Sequence, residues 1–111
     1  MKTQEPVFEV QIDEAAKAVL SEDEVQQIQS AFRAGARGSL IIGLKDGKRL
    51  LPQFLPDGSS ETTTDLRFAE CLDWLRRIGC DGYVHVSRIF PHSDTQSSVI
   101  VRIEVCTLGA T

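Results

Sequence analysis

His85, Glu104 and Cys106 are the residues of this chain whose types and spacing could do chemistry. Val99, Val101, Ile103 and Val105 recur at a period of two, which predicts a strand over 98–106 with those four groups turned to a core. Ile100, Arg102, Glu104 and Cys106 then occupy the opposite face. Antiparallel pairing with a strand over 83–90, Phe90 opposite Val99, sets His85 against Glu104, Tyr83 against Cys106, Ser87 against Arg102 and Ile89 against Ile100. A carboxylate that orients an imidazole makes a general base, and a neighbouring thiol makes a nucleophile. The same juxtaposition also serves as a cross-strand ion pair that supports a sheet. A register shifted by two would face His85 with Arg102 and dissolve the pair. No catalytic residue is assigned on this basis.

Other chemistries find less support. Cys71, Cys80, Cys106, His85 and His92 are suitable metal ligands, but no C-x2-C or H-x3-H spacing joins any two of them, so no metal is expected. Gly35-Ala36-Arg37-Gly38 follows a predicted helix and precedes a predicted strand. That order is the reverse of the one that aims helix amides at phosphate. There is no G-x-S-x-G elbow, and no cofactor is expected.

These residues need elements to hold them. Ser21 and Glu24 form a capping box, with Leu20 and Val25 as its hydrophobic staple and Glu22, Asp23 and Glu24 at the positive end of the dipole. A helix is predicted over 22–34, burying Val25, Ile28 and Phe32 and ending at Gly35 or Gly38. A strand over 7–12 and a short helix over 13–20, capped by Asp13, precede it. Residues 40–44 read as a strand, and Asp46-Gly47 supplies a type I′ turn into 48–54, where Pro52 predicts an edge strand or an early end. A polar loop over 56–63 leads to a second main helix over 65–78, capped by a threonine. Its buried stripe is Phe68, Cys71, Leu72, Leu75 and Ile78, and Gly79 stops it. The expectation is one α+β domain over 1–111 in the order (β)-α-β-β-α-β-β. Its antiparallel sheet has four to five strands, its two main helices lie on one face, and 1–6 and 108–111 are loose ends.

At 111 residues, 41% hydrophobic and 25% charged, the chain can bury a core without metal or disulfide support. Residues 1–6 hold no apolar leader, and 40–44, the longest apolar block, is too short to span a bilayer. Three widely spaced cysteines suit reduced thiols, so a cytoplasmic location is expected. The net charge of −4 is uneven, with Arg33, Arg37, Lys45, Lys48 and Arg49 gathered in the segment 33–49. A nucleic-acid-binding regulator could use that segment, but the chain is acidic and no aromatic lies between Arg33 and Arg49. Nucleic acid is therefore an unfavoured partner. An acidic mimic of nucleic acid built on Glu14, Glu22, Asp23 and Glu24 is weaker still, since helix capping explains three of the four.

The remaining lead is a surface. Ile41, Tyr83, Ile89 and Ile100 on the expected open sheet face, with Trp74 at the margin of a helix stripe, exceed what a solvated face needs. His85, Arg102 and Glu104 complete that candidate partner-binding set. The favoured expectation is a non-enzymatic protein-interaction module acting through an open sheet face or a strand edge and self-associating as a homodimer. A more specific form is a small inhibitor or adaptor from a mobile element, of the anti-CRISPR or immunity-protein kind. The rival classes are a small enzyme using His85 with Glu104 or Cys106, and the nucleic-acid-binding regulator.

Overall fold

The structure is a computed structural model that describes residues 8–89 and 99–109. Its elements run β1 (Phe8–Ile12), α1 (Glu14–Val19), α2 (Glu22–Arg33), β2 (Gly38–Lys45), β3 (Lys48–Arg49), β4 (Gln53–Pro56), α3 (Glu61–Arg77), β5 (Gly82–Ile89) and β6 (Val99–Thr107). Phe90, His92 and the tails at 1–7 and 110–111 lie outside the described residues.

Local chemistry places most boundaries. Ser21 Oγ accepts from Glu24 N while Glu24 Oε1 accepts from Ser21 N, the reciprocal box expected at the start of α2. Asp13 precedes α1 but makes no side-chain cap bond, contrary to expectation. Asp46 and Gly47 both have positive φ (51° and 76°), as a type I′ turn requires. The strand after that turn breaks at Pro52 into β3 and β4, both paired with β2 along the same edge. α3 begins a turn earlier than its apolar stripe suggests. Ser60, not a threonine, is its N-cap, and Ser60 Oγ accepts from Thr63 N. Lys45 Nζ donates to Ile78 O (2.8 Å), satisfying a carbonyl at the far end of α3.

The sheet order is β1-β6-β5-β2-β3, with β4 also on β2. Its β5–β6 register is the one read from the alternation, including His85 opposite Glu104 and Tyr83 opposite Cys106. Four expectations of the architecture are corrected. The sheet has six strands and not four to five, since Pro52 splits the strand after the turn in two. Leu108, expected in a loose end, is buried, and its N–H donates to Asp81 O (2.9 Å). The sheet is mixed, because β1 runs parallel to β6, Phe8 beside Val99. In that position Phe8, Val10 and Ile12 reach the core that α1 and α2 cover. The main helices also lie on opposite faces. Ala16, Leu20, Ile28 and Phe32 pack on Ile42, Leu44, Val84, Val86, Val101 and Ile103 on one side. On the other, Cys71, Leu75 and Cys80 pack with Ile41, Tyr83 and Leu108. The cause lies in β2, where Leu40-Ile41-Ile42 is apolar on both faces and demands a layer over each. No helix among the described residues is long and apolar enough to cross a membrane.

Candidate functional site

The second face of β5 and β6 carries Tyr83, His85 and Ser87 beside Cys106, Glu104 and Arg102. His85 Nδ1 lies 4.0 Å from Glu104 Oε1, at the limit of an ion pair. Phe68 of α3 stacks at a tilt on the imidazole, centroids 5.0 Å apart. His85 Nε2 is buried and has no hydrogen-bond partner among the described residues. Burial holds His85 below the ordinary histidine pKa, and the Glu104 carboxylate opposes that shift only in part. At neutral pH the ring is therefore uncharged, which weakens its attraction to Glu104.

Tyr83 and Cys106 are a second pair. Burial, together with a hydrogen bond to Cys106, pushes the Tyr83 hydroxyl up to about 12. Burial also raises the Cys106 thiol, and the Tyr83 bond offsets part of that rise. Cys71 and Cys80 are raised by burial as well, Cys71 Sγ donating to Gln53 Oε1 at 3.4 Å. A thiol held in its neutral form is a poor nucleophile. Two clefts, of 690 and 500 Å3, are formed by α1 with α2 and by the start of α3, away from this face. Among the described residues no three of His, Cys, Asp and Glu gather as a metal site would require.

The candidate partner-binding residues separate under this geometry. Ile41 and Tyr83 are buried beneath α3, so they are core residues and not part of a docking surface. His85 is mostly covered, its side chain 19% exposed. Ile100 and Glu104 are half-buried and Arg102 is exposed on the strip next to β1 that α3 leaves open. Ile89 keeps its expected place opposite Ile100, while its side chain lies outside the described ones. Trp74 is 39% exposed on the outer flank of α3. The open apolar face is thus reduced to a narrow polar strip.

Sequence reasoning passed over Leu51 and Phe54. Leu51 is the most exposed large apolar side chain described, at 87%, and Phe54 stands out at 44%. The signal was present as Leu50-Leu51-Pro52, an apolar group beyond the end of a strand in an otherwise polar stretch. The basic segment is dispersed. Arg33 stacks on Phe8 at 4.6 Å, Arg49 pairs with Glu24, and Lys45 caps α3. Searches against family models, curated proteins and solved structures find no match to this chain.

Proposed function

We propose that this chain is a non-enzymatic protein-interaction module that docks its partner on the β3–β4 edge. One observation carries the reading. Of the four large apolar side chains exposed among the described residues (Leu51, Phe54, Leu66 and Trp74), two belong to that edge and a third flanks it. Trp74 follows Cys71 by less than one turn, and Cys71 touches Gln53 of β4, so the tryptophan lies on the flank of α3 turned to the edge. Phe54, opposite Leu40, stands on the other face of the sheet, and the two border the edge from both sides. Apolar groups gathered at a sheet margin, aromatic ones above all, are what partner surfaces are made of. Pro52 precedes β4 and Pro56 ends it, and neither has an N–H to give, so the outer side of β4 offers only a short run for backbone pairing. Recognition here therefore runs through side chains and not through an added strand. Within this class the chain fits a small inhibitor or adaptor that occludes a partner's surface. Its three unpaired cysteines suit a reducing compartment such as the cytoplasm.

Affinity capture from source-cell extract tests the proposal, with Leu51→Glu/Phe54→Glu run beside the unaltered chain. A stoichiometric partner should be held by the unaltered chain and by Gln11→Glu on the far edge. The double variant should lose it, with affinity down about tenfold or more. A partner that binds the double variant equally well would refute the assignment of this edge.

A further inference from the structure

We propose that β1 pairs antiparallel with β1 of a second copy, about a two-fold axis through Val10. This deepens the interaction role proposed above but uses the opposite edge of the sheet, so the two ideas can fail separately. β1 ends the strand order, and among the described residues nothing pairs with its outer side. Asp13 N donates to Ile103 O (2.9 Å), which fixes the direction of the backbone groups before it. Alternation turns the N–H and C=O of Glu9 and Gln11 to β6, and those of Phe8, Val10 and Ile12 to the free edge.

Charge then selects the register. For a continuous sheet with like faces aligned, the axis passes through Glu9, Val10 or Gln11. An axis at Glu9 sets that carboxylate against its own copy, and an axis at Gln11 sets Glu9 against Asp13. Like charges directly opposite destabilise a sheet. The Val10 axis faces Glu9 with Gln11 of the second copy, and Phe8 with Ile12. It also engages all three residues whose backbone groups point outward. A cleft of 690 Å3 opens beside this edge, lined by Ile12, Leu20, Val25 and Gln26 among others. The pairing brings Phe8 of the second copy, with Arg33 stacked on it, next to Ile12 at that cleft.

Light scattering after gel filtration, with dissociation constants from sedimentation, tests the pairing on the full chain. The expected mass is twice 12.3 kDa at high concentration. Gln11→Glu places two like-charge pairs across the axis and should weaken the dimer about threefold to tenfold. Gln11→Lys creates two opposite-charge pairs and should tighten it by a similar factor. Within one chain Gln11 neighbours Arg102, so the same substitutions should move monomer stability the other way. Val10→Pro removes an outward N–H without touching the β6 ladder and should give a monomer of unchanged circular dichroism. Leu51→Glu/Phe54→Glu should leave the dimer intact. A monomer at every concentration would overturn the proposal. So would a dimer indifferent to both Gln11 variants, or one lost in the Leu51/Phe54 variant.

Discussion

Phe68 and His85 meet at the margin of α3, their ring centroids 5.0 Å apart and their planes inclined by 45°. The contact joins the helix to β5, and it leaves the imidazole largely dry. The groups facing it are Glu104 and Arg102 from β6, Tyr83 and Ser87 from its own strand, and the uncharged Phe68 from the helix.

This burial gives stability a pH dependence of known sign. The folded-state pKa of His85 lies below its ordinary value of 6.5. Above 6.5 the ring is neutral whether the chain is folded or not, and the contribution is fully present. As pH falls through 6.5 the unfolded chain takes the proton first, so stability drops until the folded pKa is reached. Thermal melts followed by Trp74 fluorescence should shift to lower temperature over that interval. His85→Leu should remove this part of the slope. Parallel slopes for both proteins would mean that the ring is as wet as a free histidine.

Gly38 is the position where a side chain is least tolerable. Its φ of +136° disfavours any L residue, and a Cβ there would fall on the Leu55 carbonyl oxygen of β4. Backbone cannot retreat as a flexible side chain can. Gly38→Ala should destabilise by about 2–5 kcal/mol, from strain plus overpacking. Gly47→Ala meets no neighbouring atom and costs only the strain of its positive φ. Urea melts of the two variants should differ clearly in midpoint, and equal midpoints would contradict the tight β2–β4 approach.

The two cores share one sheet, and this predicts a single unfolding transition. Ile41 and Ile42 are neighbours in β2 yet belong to opposite layers. Leu75 (2% exposed) closes one layer and Phe32 (3%) the other. Leu75→Ala and Phe32→Ala should each cost about 2–5 kcal/mol. Trp74 fluorescence, which reports on α3, should fall together with far-ultraviolet circular dichroism in both variants. Separate transitions would show that α3 undocks alone.

How much of this was legible in the sequence depended on whether the signal was local. The capping box at Ser21, the turn at Asp46-Gly47 and the β5–β6 register are set by residues close in sequence, and each was readable. The side taken by α3 was not read, although Leu40-Ile41-Ile42-Gly43-Leu44 carried the information. Unbroken apolar character in a strand means cover on both faces, whereas alternation leaves one face free. The alternation of β6 describes a strand near the edge, and the continuous β2 is the better guide to the centre of the sheet. The parallel placement of β1 could not be read locally, since it depends on a crossover through two helices. Of the candidate surface, Trp74 and the strip of Ile100, Arg102 and Glu104 keep some exposure, while Ile41 and Tyr83 became core.

Thiol reactivity separates the interaction reading from the catalytic one. A cysteine nucleophile needs its thiolate, and burial raises all three thiols of this chain. Cys71 and Cys80 are buried and Cys106 is half-exposed. Alkylation of the folded protein should therefore modify Cys106 first, more slowly than a free cysteine at the same pH, and the other two only on unfolding. The Tyr83 bond favours the Cys106 thiolate, so Tyr83→Phe should slow that reaction further. Mass spectrometry of peptides from a timed iodoacetamide reaction would establish the order. If Cys106 instead outran free cysteine, and lost that advantage in His85→Ala, the imidazole would be activating it. The face beside α3 would then be a reaction centre and the β3–β4 edge an accessory to it.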